Sequence, residues 1–166
     1  QCRADRPAIL MAHYTVPEKN DAWFPEDMFI AGLEANLEAN ILPLIESHPD
    51  TQFTVFFPPY SILYWYEYVQ NNQMDAVMYE YRYFMEKLLA YENVELFFFP
   101  GKEEIVCDLD LYADAGHYRQ SINRYMTACF IDGTHRITAD TYEEELQRMK
   151  SMIDTYDYDA LWMESE

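Results

Sequence analysis

Two kinds of apolar pattern alternate along the chain. From residue 26 to 47 apolar side chains recur at every fourth position, at Phe29, Leu33, Leu37, Ile41 and Ile45, with Glu34, Glu38 and Glu46 away from that stripe. This spacing predicts an amphipathic helix. Pro25 suits its start and His48-Pro49-Asp50 its end, because the residue before a proline avoids helical geometry. Gln52-Phe53-Thr54-Val55-Phe56-Phe57 has no such period. It is a short β-branched and aromatic run stopped by Pro58-Pro59, which predicts a strand buried on both faces, as in a parallel sheet.

The alternation continues. Ser61 opens a helical stretch, its hydroxyl suited to accept from the free N–H groups of the first turn. Asn71-Asn72 breaks that helix, and another follows with Met74, Val77, Met78, Tyr81, Phe84 and Leu88 on one face. Val94 to Phe99 reads as a second buried strand, closed by Pro100-Gly101. A loop containing Ile105-Val106 leads to Tyr112–Tyr118, then to a helix marked by Ile122, Tyr125, Met126 and Cys129. Asp132-Gly133 is a turn signal. Thr141-x-x-Glu144 is a capping box for a last helix carrying Leu146, Met149 and Ile153.

The ends are less patterned. Ala8-Ile9-Leu10-Met11-Ala12 reads as a short strand or a helix end, and Pro17 and Pro25 bracket a loop with Trp23 and Phe24. Three regions follow: an irregular segment over 1–25, an α/β domain over 26–156 and an acidic tail over 157–166 that is expected to fray. Helices alternating with buried strands predict an α/β sandwich on a short parallel sheet. Right-handed crossovers then bring the loops after the strands to one edge.

Composition narrows the function. The chain has 166 residues with 11 Lys plus Arg against 30 Asp plus Glu, a net charge of −19. A nucleic-acid binder needs a basic footprint, so nucleic acid is excluded as a partner. The charge is spread along the chain, which suits either a solvated surface or a face that repels anionic polymers and recruits cations. Apolar residues make up 50 %, enough for a sizeable core. The three cysteines, Cys2, Cys107 and Cys129, are widely spaced and form no disulfide framework or C-x-x-C pair. Cys107 and Cys129 are expected to be buried as small hydrophobes. No uninterrupted apolar run approaches about 18 residues, so no membrane segment is expected. Gln1 to Arg6 lacks the apolar core of a signal peptide. Only 4 residues are Gly, where average usage would give about 12, which argues against glycine-rich phosphate loops and any nucleotide cofactor.

Asp114-Ala115-Gly116-His117 carries the clearest chemistry. A carboxylate three residues before a histidine, in a turn containing Gly, can fold back on the imidazole. It then fixes the tautomer and leaves the far ring nitrogen free to take a proton. The same spacing also suits a solvated loop carboxylate followed by a histidine that caps the next helix. Val55-Phe56-Phe57-Pro58-Pro59-Tyr60-Ser61, then Val94 to Phe99, then Tyr112 to Tyr118 occur in an order that resembles the SGNH (GDSL-like) hydrolases. The likeness covers about residues 40–130, lies in the C-terminal half of that family's flavodoxin-like domain, and is closest to an envelope-associated bacterial branch. The resemblance implies a flavodoxin-like three-layer sandwich and a serine esterase acting on O-acyl groups of an envelope carbohydrate, outside the cytoplasm. It implies that Asp114 orients His117 and that His117 is the general base, with Tyr60, Ser61 and Tyr118 along the cleft.

The departure from the family is equally specific. Its nucleophilic serine sits in a Gly-Asp-Ser block ahead of the matched strands, and no Gly-x-Ser occurs in these 166 residues. The sequence is therefore expected to be the rear part of such a domain, inactive alone and prone to self-association through an exposed sheet edge, or a binding or assembly domain without the nucleophile. Ser61 is the one serine placed to stand at the same sheet edge, as a helix cap or, less usually, a nucleophile. A competing reading is a divalent-metal site. Asp132-Gly133-Thr134-His135 repeats the D-x-x-H spacing, and Asp108 and Asp110 are near in sequence.

Overall fold

In the computed structural model, which describes residues 14–20, 22 and 25–162, three strands form one sheet in the order β1-β2-β3. Cys2, the Ala8–Ala12 run, Trp23, Phe24 and residues 163–166 lie outside the described residues. The elements are α1 (Glu26–Ser47), β1 (Phe53–Phe57), α2 (Ile62–Gln70), α3 (Met74–Leu88), β2 (Val94–Phe98), a short α4 (Glu103–Val106), α5 (Gln120–Asp132), β3 (Arg136–Ile137) and α6 (Tyr142–Thr155).

β1 and β2 are parallel, with Phe57 opposite Phe98 and Phe56 opposite Phe97. The pleat sends these pairs to opposite faces. Phe57 and Phe98 meet Tyr81 of α3, at ring centroids of 4.7 and 6.0 Å. Phe56 and Phe97 meet Phe130 of α5, at 5.3 and 5.0 Å. Helices thus flank both faces, and the protein is an α/β protein. Leu96, Phe97, Phe98 and Phe99 are fully buried, so the apolar half of the central strand is covered on both faces.

β1 departs from the expectation of two buried faces. Phe53, Val55 and Phe57 are half-buried while Thr54 and Phe56 are exposed, Phe56 by 41 %. Among the described residues β1 has no strand on its outer side. The sheet is also mixed rather than wholly parallel, because β3 pairs antiparallel with β2. β3 has two residues, of which only Ile137 is buried, too short to show any period.

The stripe of α1 also fails in part. Its middle, Leu37–Ile41, winds as a π-turn between two α-helical stretches, and the wider turn rotates the residues after it. Leu37 and Ile45 are buried, while Phe29 and Ile41 are 36 and 37 % exposed. The glutamates of α1 are tied instead to a row of tyrosines. Tyr79, Tyr83 and Tyr91 donate to Glu34, Glu38 and Glu46 at 2.5, 2.8 and 2.6 Å, each across 45 residues. Tyr79 and Tyr83 lie on α3 and Tyr91 just beyond its end, and the constant offset means that α1 and α3 run parallel and in register, as helices that each lead into one of two parallel strands must.

One segment meets the length and composition needed to cross a membrane, although it contains no uninterrupted apolar run of that length. The 22 residues of α1 are long enough, and an 18-residue window within them, with a mean hydropathy of 1.3, is apolar enough, to do so by length and composition alone. An uninterrupted-run criterion misses this, because Glu34 and Glu38 fall inside the segment. The phenols that bond both carboxylates show what they pack against here.

Two terminal details differ as well. Thr141 forms no capping box. Its hydroxyl accepts from the Thr138 N–H at 2.9 Å, and Glu144 pairs with Arg148 one turn on. The described part of the tail is docked rather than frayed, because Tyr158 stacks on Tyr66 at 4.3 Å and Trp162 on Tyr14 at 5.9 Å. Aromatic burial outweighs local acidity there. Cys107 and Cys129 are buried, as expected.

Candidate functional site

Parallel β1 and β2 deliver their following loops to the same edge of the sheet. After β1 the chain runs through Pro58-Pro59-Tyr60-Ser61 into α2. After β2 it passes Gly101 and α4 and then forms a small hairpin, closed where Tyr112 bridges Tyr118. Ala113 N–H donates to His117 O at 2.7 Å and Arg119 N–H to Leu111 O at 2.7 Å. The hairpin holds Asp114 and His117 at its tip.

At that tip Asp114 does what a turn carboxylate does best. Its Oδ1 accepts from the backbone N–H of Gly116 at 2.9 Å and of His117 at 2.8 Å. Both of its oxygens also reach His117 Nδ1, at 2.9 and 2.8 Å. Partial desolvation pushes the Asp114 pKa up, but the hydrogen bonds from Gly116 and His117 outweigh it and hold the carboxyl below its ordinary value. A carboxylate at Nδ1 selects the tautomer with its proton on that nitrogen and leaves Nε2 as a lone pair. The histidine side chain is 85 % exposed and the aspartate 55 %, so the imidazole stands open at the sheet edge. Chemically the pair can orient and stabilise an imidazolium.

Ser61 is neither of the things its position suggested. It sits at the start of α2 with extended backbone and makes no side-chain cap bond. Instead its Oγ donates to Ala115 O at 2.7 Å and its N–H to the same oxygen at 3.1 Å. The hydroxyl is fully buried, and its bond runs to the hairpin backbone rather than to the imidazole. Tyr112 makes a second stitch, donating to Pro59 O at 2.6 Å. The sequence carries no signal for either stitch, since each joins residues more than 50 positions apart. Tyr60 lies under the turn, stacked on Tyr64 at 4.3 Å, and a Cβ added at Gly116 would stand 3.9 Å from its ring. Tyr118 is half-buried, with its ring edge toward Tyr112 at 6.5 Å.

The second D-x-x-H is a turn. Gly133 is left-handed at φ 79°, and Asp132 accepts from Thr134 N–H at 2.8 Å. His135 points elsewhere, its Nε2 at 2.5 Å from the Tyr125 hydroxyl, and burial lowers its pKa. Asp108 Oδ1 accepts from Asp110 N–H at 3.2 Å. Among the described residues no group of three or more His, Cys, Asp or Glu is arranged to hold a metal ion, which removes the geometry that the metal reading required.

Sequence reasoning missed an open cleft of about 470 Å³ beside the end of β2, lined by residues that include Lys102, Glu104, His135, Arg148 and Ser151. Its cations are already paired, Lys102 with Glu145 at 3.1 Å and Arg148 with Glu144 at 3.1 Å. The only sequence cue was Pro100-Gly101 closing a strand.

The fold and site define an α/β protein with a histidine–carboxylate pair at the carboxyl edge of its parallel strands. No family model matches the chain, and neither the curated proteins nor the solved structures contain a match to it.

Proposed function

We propose that these residues form the rear part of a flavodoxin-like, SGNH-like acyl-ester hydrolase domain, in which Asp114 orients His117 and His117 is the general base. The observation that carries the reading is the contact of both Asp114 oxygens with His117 Nδ1, with the ring exposed at the strand-end edge. This is the edge where open α/β sheets bind their ligands. The resemblance directs the proposal to O-acyl groups on an envelope carbohydrate. On this reading the nucleophile is supplied from outside these 166 residues, since no serine here sits in a Gly-x-Ser block and the Ser61 hydroxyl is committed to Ala115. A fluorophosphonate probe applied to the complete protein is expected to label one serine, and His117→Ala is expected to cut that labelling at least ~100-fold, within the range for general-base loss. No labelling, or labelling indifferent to His117, refutes the reading.

A second reading, a binding or assembly domain on the same fold, draws on the absence of any Gly-x-Ser. The first reading also proposes self-association of this chain through β1, where the rest of the sheet would otherwise pair. Phe53–Phe57 contains no proline and no charged residue that would blunt an edge strand. Light scattering at tens of micromolar is expected to give at least twice the 19.8 kDa chain mass, and a lysine at the exposed edge position, Thr54→Lys, to return it to one chain. A clean monomer of the unmodified chain argues against an interface at β1.

A further inference from the structure

We propose that Ser61 is the positioning residue of the Asp114–His117 pair, acting through the peptide that joins Ala115 to Gly116. The functional weight of this inference rests on the hydrolase reading, while its geometry and its test do not. Asp114 and His117 are 55 and 85 % exposed, so packing does not lock their side chains. Whatever holds them comes from beneath, through the backbone of the turn.

Ser61 supplies that hold. Tyrosines and cysteines apart, it is the one buried polar or charged residue among the described residues, set beside the fully buried Ile62 and Leu63. Both of its donors, N–H and Oγ–H, converge on the Ala115 carbonyl, which fills the two lone pairs of that oxygen. A trans peptide is planar, with its C=O and N–H directed oppositely. Gripping the Ala115 oxygen therefore aims the other end of the same plane, the Gly116 N–H, and that N–H donates to Asp114 Oδ1 at 2.9 Å. The carboxylate so held meets His117 Nδ1 through both oxygens. The sequence of contacts is Ser61, the 115–116 peptide, Asp114, His117. It also explains why a serine heading α2 gives up the usual bond to its own helix.

NMR on the full chain tests this without any substrate. Two readouts apply: hydrogen exchange at the Gly116 amide, and the ¹⁵N shifts of the His117 ring at a pH where it is neutral. Ser61→Ala is expected to speed Gly116 exchange at least tenfold and to move His117 from the Nδ1–H tautomer toward the Nε2–H form that free histidine prefers. Ser61→Cys keeps the volume with a weaker donor and is expected to move both readouts the same way by less. It alone decides the matter if the alanine variant does not fold. Tyr112→Phe removes the neighbouring stitch to Pro59 and leaves the 115–116 peptide gripped, so it is expected to change neither readout. Unchanged readouts in the folded Ser61 variants, or the same change in Tyr112→Phe, overturn the proposal. Failure of fluorophosphonate labelling in the complete protein defeats the hydrolase reading and leaves these shifts where they are.

Discussion

Asp114→Asn is expected to lower acyl-ester turnover by the complete protein about 10⁴-fold, the scale on which a triad loses activity when its carboxylate becomes an amide. The change is nearly isosteric. The amide oxygen of the variant can still accept from the Gly116 and His117 N–H groups, so the turn keeps the two bonds that shape it. What changes is the group facing Nδ1. An amide NH₂ there can only donate, which obliges Nδ1 to be the acceptor and moves the ring proton to Nε2. His117 then presents a donor where the mechanism needs a base, and the imidazolium loses its counter-charge. Stability should move little, because the site is exposed and such surface changes fall within about 0.5 kcal/mol. Parallel measurement of kcat against pH and of urea unfolding checks both halves. Turnover within tenfold of the unmodified protein removes the orienting role from Asp114. A large stability loss assigns Asp114 to the fold.

That pair was readable from the sequence because it is local. Three residues of separation put a carboxylate within reach of the imidazole, but the same spacing at Asp132 and His135 leaves the ring turned to Tyr125, so the spacing offers the pair without dictating it. Local pattern is legible too in α3, where Met74, Val77, Met78, Tyr81 and Leu88 are all buried, and in β2. The readings that failed depended on partners distant in sequence. Ser61 looked like a helix cap because capping is the local option, and the competing acceptor lies 54 residues away. β1 and β2 are equally apolar strings, yet one is central and the other an edge, and nothing in the neighbouring residues tells which. The π-turn in α1 and the two-residue β3 are too small to alter a periodicity.

The acid surplus looks different beside the structure. With 30 acids and 11 bases most carboxylates cannot find a cation. A chain with 15 tyrosines has another donor to offer. Glu34, Glu38 and Glu46 of α1 take phenols, and Glu86 takes that of Tyr142 at 3.0 Å. These bonds raise the pKa of Tyr79, Tyr91 and Tyr142 by holding the phenol proton against a carboxylate. The tyrosine row thus does between α1 and α3 what Lys–Glu pairs do between helices elsewhere, without reducing the net charge. Part of the charge of −19 is therefore built into helix packing, and the rest is solvated surface.

The largest loss of stability is expected at the centre of the sheet, where Phe98→Ala should cost about 3–5 kcal/mol, as large-to-small changes in a tight core usually do. Phe98 is fully buried. Its ring lies between Phe57 at 5.8 Å and Tyr81 at 6.0 Å, so truncation opens a cavity bordered by two other rigid rings that cannot collapse into it. Its N–H also donates to His135 O at 3.2 Å, and that backbone bond holds the strand in place and keeps the void from closing. Against a total stability of about 5–15 kcal/mol, the change takes a large share and should lower the urea midpoint sharply at constant slope. Phe56→Ala is the matched control. It sits on β1 one register step before the partner of Phe98, is 41 % exposed and has its ring 5.3 Å from that of Phe130 on α5, so about 1 kcal/mol is expected from its smaller burial. Equal losses at the two positions would mean that β1 is covered in solution. Such a result would agree with light scattering that finds more than one chain.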